Sequence, residues 1–502
     1  MPDHEKPNAR GLFGGVFARG GVETGDAAWL QAMLDAEAGL ARALERAGLA
    51  PAGAGEAVTA AARAGNFDPN ELGGLAALTG NPVPGLARAL ARQVPQTAVS
   101  AVHHGATSQD IVDTAAMLLA KRAIGVIAAD LARAADAAAG LAAAHRDSIM
   151  IGRTLLQQAV PVTFGLVAAG WLTSLDEARA GLDSVGPRLA VQFGGAAGTL
   201  ASLGQAGQRV TALLATELGL AVPVLPWHTD RLRIIDLGAA LARVAAALGK
   251  IARDVTLLAQ SEVGEVSEGG GASGAGGAGG AGGAGGADPR GAGQRTPAES
   301  PEHGGVHPPV PPRPPRRGGS SAMPHKHNPV ASIAILGCTR QVPGLLATLA
   351  AASEQELQRA AGAWHAEWEP LTALLRLTAS ASSWAADLLP GLVVDTSRMA
   401  ANLAATKGLP LAEHVSSLLS GVLGGAQAHD LVAEAGARAT SAGLPLRDVL
   451  LAVPKLEERL SSAGITAEQI DSALEPSGYL GAAGAFVTAA LDAHEKLGKL
   501  HG

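Results

Sequence analysis

From residue 109 to about residue 146 the chain runs as an almost unbroken helical sequence, rich in Ala and Leu with charges spaced along it. At 1.5 Å per residue such a run makes a rod of roughly 55 Å. A rod that long is stable only when other long helices cover it. Comparable runs follow at about 161–184, 229–265, 328–356 and 364–389, so the sequence predicts an elongated bundle of five long helices. Hydrophobic residues make up 47% of the 502 but aromatics only 3%. The core must therefore be Ala, Leu and Val on helices packed closely together, which predicts an all-α chain. Pro343 should kink the fourth run.

Shorter helices flank the bundle. Trp29, Leu30, Met33, Leu34, Leu40 and Leu44 share one helical face, ended by Gly48 and Pro51, and a second helix near 86–92 follows the turn Gly80-Asn81-Pro82. The last hundred or so residues return to short helices and end in an amphipathic one near 482–497. Three domains are expected, 1–108, 109–393 and 394–502. Within the second, 268–318 is an insert of GAGG repeats followed by PPVPPRPPRRGG. Gly/Ala repeats bury too little surface to order themselves and the proline run is extended, so disorder is expected there. A PxxP docking segment is the alternative.

A formal net charge of −7 gives no global basic field for nucleic acid or anionic lipid, so an anionic substrate must be held by local cations. The single cysteine, Cys338, excludes a disulfide framework and a cysteine metal cluster. Its place on an apolar helix face reads as inert packing. The polar start MPDHEKPNAR lacks the apolar run of a secretory signal, and Asp130, Arg133 and Asp136 interrupt the apolar stretch 123–144. Neither a membrane span nor a membrane partner is expected, and the cytoplasm is the expected compartment.

Residues 319–329, GSSAMPHKHNP, stand between the insert and an apolar helical run. Asn328 suits an N-cap and Pro329 the first helical position, so a helix through Val330, Ile333, Ile335 and Leu336 should start there. Its free N–H groups and positive dipole end would face Lys326, Ser321 and Ser320, which makes an anion site with a hydroxyl beside it. Two further loops share this character. In HHGATSQD, 103–110, Ser108 can cap the long helix from Gln109 and Thr107 adds a hydroxyl; plain capping would explain both. In GRTLLQQAVPVTFG, 152–165, Thr154 and Gln157 have capping-box spacing and Arg153 offers a planar fork for a carboxylate, or is simply a surface cation. Three carboxylate-friendly helix ends imply a di- or tricarboxylate. No metal is expected: the 14 histidines show no HExxH spacing, and Lys326 separates His325 from His327.

GSSAMPHKHNP resembles the GSSxMPxKxNP signature of the fumarase/aspartase superfamily. HHGATSQD resembles that superfamily's HxGxTSxD block, and GRTLLQ its GRTHxQ region. The resemblance implies a three-domain all-α fold whose central five-helix bundle assembles into a homotetrameric core, with each site drawing its loops from different subunits. It implies that Ser320 is the base that moves a proton next to a carboxylate, with Lys326 as the compensating cation. Substrate contacts would come from His103, Thr107, Ser108, Arg153, Thr154, Gln157, Ser321 and Asn328, with no cofactor. His104 falls on a variable position and is expected to be structural. A serine is a poor base unless its anion is stabilised, and loop closure, helix-end N–H groups and Lys326 could do this.

One departure narrows the chemistry. Where the superfamily's lyases carry a histidine after GRT, this chain has Leu155, which can neither donate nor accept a proton. Amines and hydroxide, with conjugate acids near pKa about 10 and about 16, leave poorly without an acid, whereas a carboxylate, at about 4, leaves unaided. That is lactone chemistry. LFGGVFARGGVE (12–23), QFGGAAGTLASLG (192–204), LPWHTDR (225–231) and RAAGAWHAEWEPL (359–371) are similar to the superfamily's lactonising cycloisomerase branch. The expected reaction is intramolecular addition of one carboxylate of a small tricarboxylate to a double bond, with Ser320 delivering the proton to carbon. The rivals are an argininosuccinate- or adenylosuccinate-type lyase with another residue as acid, and a non-catalytic helical scaffold whose insert binds partners.

Overall fold

The computed structural model of the chain describes residues 11–269, 323, 326–452 and 464–501. Ser320, Ser321 and the insert beyond Gly269 lie outside the described residues. The chain divides into two compact units, Met1–Glu268 with Pro329–Gly502, and Gly269–Asn328. The helices described below all belong to the first.

Helix α1, Asp26–Arg46, buries the expected stripe of Leu30, Met33, Leu34, Leu40 and Leu44. Helix α2, Ser108–Ala144, is the predicted rod, 37 residues long and hence about 55 Å. A β-hairpin follows, β1 (Ile149–Thr154) with β2 (Gln157–Thr163), and then α3, Phe164–Val185. The remaining long elements are α4 (Leu232–Leu258), β3 (Val266–Glu268), α5 (Val330–Thr339), α6 (Val342–Ala351), α7 (Trp368–Leu388) and β4 (Leu392–Val394). α2 packs on α3 and α7, and α4 packs on α3, α5, α6 and α7. This is the all-α bundle that the scarcity of aromatics predicts, with only two short antiparallel pairs, β1–β2 and β3–β4, among the described residues.

Small side chains let the helices approach: Ala115, Ala120, Ala123, Ala134 and Ala138 of α2 are all buried. Where an aromatic does enter the core it is placed edge-on. Phe164 meets Trp171 at 5.6 Å between ring centroids, and the indole N–H of Trp171 donates to Asp254 at 2.7 Å. Burying that ring therefore leaves no orphan donor.

The expected fourth run is two helices rather than one kinked helix. It breaks after Thr339, and Pro343 sits in the first turn of α6, where its missing N–H removes no helical hydrogen bond. The break also bears on the membrane question. Val330–Ala351 is long and apolar enough by composition to span a bilayer, with mean hydropathy 1.4, but each ten-residue half rises only about 15 Å against a hydrocarbon core of about 30 Å.

Helices α8 (Ala412–Leu423) and α9 (Gly425–Ala442) gather with two shorter ones around a second core of Val415, Leu419, Val432, Leu446 and Ile470. The final helix, α10 (Ala483–His501), returns to lie along α3, where Val487 is buried in the main core. Cys338 is buried as expected, and burial pushes its thiol pKa up to about 11, so it packs rather than reacts.

Candidate active site

The loop before α2 is built around one carboxylate. Thr107, not Ser108, is the N-cap, and with Asp110 it forms a capping box, the Thr107 N–H donating to Asp110 Oδ2 at 2.9 Å. The helix consequently starts one residue earlier than the sequence suggested. Asp110 also accepts the N–H groups of Gly194 at 3.0 Å and Gly195 at 2.9 Å, and its Oδ1 lies 2.6 Å from His228 Nε2. Gly195 must be glycine: its φ is +67°, and a Cβ would lie 2.9 Å from the Gly105 carbonyl oxygen. Arg359 fastens the same segment by donating to the carbonyls of Gly195 and Ala196 at 2.5 and 3.1 Å.

His103 opens the loop in a left-handed conformation, φ +55°. The fully buried carboxylate of Glu37 on α1 accepts its backbone N–H at 2.9 Å and faces its Nδ1 at 2.6 Å. Burial disfavours a charged ring here, but the Glu37 and Asp110 carboxylates outweigh it and the His103 pKa is raised. His103, Thr107 and Ser108 are half-buried, and His104 is exposed; nothing in its burial makes His104 structural.

One layer deeper, Arg231 is sandwiched between Asp113, at 2.8 and 3.1 Å, and Glu367, at 2.6 to 3.1 Å. Gln192 and the indole of Trp364 also donate to Asp113, and Gln355 donates to Glu367. The network ties α2, the segment before α4 and the start of α7 together beneath the loop. Glu37, Asp110, His228, Arg231 and Glu367 carry no role in the sequence reading. Its traces were a T-x-x-D capping box in 107–110 and polar groups inside the blocks 225–231 and 359–371.

The second region is a β-hairpin and not a helix entry. Thr154 and Gln157 pair across its end and are exposed, and the helix begins later, at Phe164, capped by Thr163. Capping-box spacing in the sequence was misleading here because Leu155 and Leu156, at φ +51° and +65°, form a two-residue turn. Gly152 is the bulge in β1, where a Cβ would meet the Val160 carbonyl at 2.6 Å. Arg153 is not a free fork for substrate. Both its terminal nitrogens donate to Glu265 at 2.8 Å, and Asn402 adds a third bond to that carboxylate. Leu155 is 96% exposed at the hairpin tip.

At the third region the helix starts at Val330, not after an Asn328 cap. The donors expected to face an anion are already used: Glu268 accepts the N–H groups of Ala331 and Ser332 at 2.9 and 2.8 Å. In the second unit, Lys326 and Asn328 are exposed and half-buried respectively, and the Lys326 N–H closes a turn onto the Met323 carbonyl at 3.0 Å.

Within one chain the 103–108 loop and the hairpin do not form one site. The 103–108 loop and the hairpin stand at opposite ends of α2, a helix about 55 Å long. The described residues hold no group of three or more His, Cys, Asp or Glu arranged for a metal ion.

The bundle of long helices with polar loops at its ends is shared with known lyases, as comparison with known proteins shows. The family described as Lyase matches residues 26–276. The 3-carboxy-cis,cis-muconate cycloisomerase of Pseudomonas aeruginosa is 43% identical over 473 residues, 93% of each chain. The nitrosuccinate lyase of Streptomyces davaonensis is 42% identical over 494 residues, 96% of this chain and 94% of that one. The crystal structure of the 3-carboxy-cis,cis-muconate lactonizing enzyme from Pseudomonas putida superposes with a TM-score of 0.80 at 38% identity, over 97% of this chain and 99% of that one. The chain belongs to this lyase family, of the fumarase/aspartase superfamily.

Proposed function

We propose that the chain is a cycloisomerase that interconverts 3-carboxy-cis,cis-muconate and 4-carboxymuconolactone, the reaction of the protocatechuate branch of the β-ketoadipate pathway. The observation that carries the reading is Leu155 at the exposed tip of the hairpin. With no proton donor there, an amine leaving group is about 6 pKa units more basic than a carboxylate, a handicap of about 8 kcal/mol. A carboxylate departs, or adds in reverse, without that help.

In the lactonising direction one substrate carboxylate adds to a double bond. Lys326 and Asn328 stabilise the enolate-like charge that forms on the neighbouring carboxylate. Ser320 then delivers a proton to carbon, and in reverse it removes that proton. His103, Thr107, Ser108, Thr154, Gln157 and Ser321 hold the remaining carboxylate and orient the other two. Arg153, engaged by Glu265, acts by bracing the hairpin. Nucleophile and electron sink both belong to the substrate, so no cofactor enters.

The length of α2 supports a site shared among copies, since one chain keeps its loops at opposite helix ends. The span Val330–Ala351, apolar yet leaving side chains such as Ile333 (54% exposed) uncovered, supports a homotetramer in which it packs against other subunits. The one buried cysteine supports action in the cytoplasm.

A second reading rests on the same residue. Nitrite is also a weakly basic leaving group, and the Streptomyces davaonensis relative is a nitrosuccinate lyase. Purified protein should consume 3-carboxy-cis,cis-muconate, followed by loss of its absorbance, and Ser320→Ala should reduce turnover to less than a few per cent with unchanged folding. Silence on muconate with nitrite released from nitrosuccinate would replace the first reading by the second.

A further inference from the structure

We propose that Glu37 is a positioning residue that holds His103 as a fixed cation, its Nε2–H edge presented to a carboxylate of the substrate. The inference deepens the functional reading above and rests on it for the identity of the ligand. Glu37 is remote in sequence from every motif, yet both of its oxygens are spent on one residue: Oε2 on the His103 backbone N–H and Oε1 on Nδ1, at 2.9 and 2.6 Å. The first bond holds a non-glycine residue in a left-handed backbone conformation, φ +55°, which such a residue adopts only where the surroundings impose it. The second fixes the ring with Nδ1 against a fully buried carboxylate, and on a side chain 24% exposed this leaves Nε2 as the ring nitrogen available to a ligand.

The carboxylates of Glu37 and Asp110 favour the imidazolium, and the other charged groups of this region are held on partners of their own. From α1 comes Glu37. From α2 come Asp110, whose charge raises the His103 pKa, and Asp113 one turn further on. From the adjoining segments come His228, which faces Asp110, and Arg359, which is held on the carbonyls of Gly195 and Ala196. Asp113 is matched by Arg231. Glu37 has His103 as its only polar side-chain partner among the described residues. A buried carboxylate with a single imidazole partner is stabilised by a proton on that imidazole. The pair therefore delivers one positive donor to the loop without adding net charge to the interior.

The first test needs neither substrate nor variant turnover. Histidine-selective NMR of the full chain, with His103 assigned by its loss in His103→Gln, should show the ring titrating above the ordinary histidine value of 6.5. A His103 that titrates at or below that value overturns the proposal whatever the enzyme's substrate. The second uses Glu37→Gln, which keeps shape and an acceptor but loses the charge. The pH at which KM for the muconate begins to climb should fall by at least one unit, while kcat changes less than about three-fold. A KM profile superimposable on that of the unaltered chain would equally overturn it. If Glu37→Gln does not fold, the NMR titration still decides.

Discussion

Glu268 and Ser332, 64 positions apart, are joined by two hydrogen bonds: the Glu268 Oε1 accepts the Ser332 N–H at 2.8 Å and its hydroxyl at 2.7 Å. With the Ala331 N–H bound to the other oxygen, this carboxylate does the work of an N-cap supplied from outside the helix, where the dipole favours a negative charge. That is why the helix needs no cap from Asn328. Glu268→Ala should lower stability by about 1–2 kcal/mol, and Glu268→Gln by less because the amide oxygen can still accept the two Ser332 donors. Thermal unfolding checks both, and a Glu268→Ala protein as stable as the parent would show that the contact contributes nothing.

Arg231 makes a harsher test. Its side chain is 1% exposed between Asp113 and Glu367, and burial alone already pushes the Glu367 pKa up. Arg231→Met strands two carboxylates, and denaturant unfolding should show a loss of about 3–5 kcal/mol. Adding Asp113→Asn and Glu367→Gln to that variant should recover part of the loss, since the stranded charges and not the missing packing dominate it. No recovery in the triple variant would reverse that order.

The sequence made the bundle legible because helical periodicity is local: α1 and α2 end within two residues of where their apolar stripes stop. The sites were legible only in part. Lys326 and the 103–108 loop announce themselves as motifs, but what holds them does not, because Glu37 meets His103 across 66 positions and Asp113 meets Trp364 across 251. Thr154 and Gln157 show the opposite failure, since capping-box spacing says nothing about whether the residues between them turn as a helix or as a hairpin.

Glu217 gives the acid limb of stability a definite sign. Arg42 Nε and Arg46 Nη1 each lie 2.7 Å from one of its oxygens, and the hydrogen bond from Arg42 above all holds its pKa below the ordinary value. A depressed carboxylate stabilises the fold fully above its unfolded pKa, and the contribution is lost as pH falls through the folded value. The stability difference between the parent and Glu217→Gln should thus be constant from about pH 5 upward and shrink toward zero in more acidic solution. At plateau it should be below about 1 kcal/mol for each of these partly exposed pairs. Urea unfolding across that range measures it, and a gap that widens in acid would contradict the assignment.

At the hairpin tip, local stability and function should pull apart. A two-residue turn with both φ values positive strongly prefers Asn-Gly, and a non-glycine residue held there costs on the order of 1 kcal/mol. Leu155 and Leu156 occupy those positions while 96% and 67% exposed, so neither turn chemistry nor burial in this chain favours them. Water-exposed leucines on a strained turn are accounted for if the tip enters the site of another copy, where Leu155 would exclude water and withhold a proton donor. Leu155→Asn with Leu156→Gly should then raise the unfolding free energy by about 1–2 kcal/mol and lower kcat/KM for the muconate at least about ten-fold, which is 1.4 kcal/mol of transition-state stabilisation. A double variant that is more stable and fully active would show that the leucines serve neither purpose.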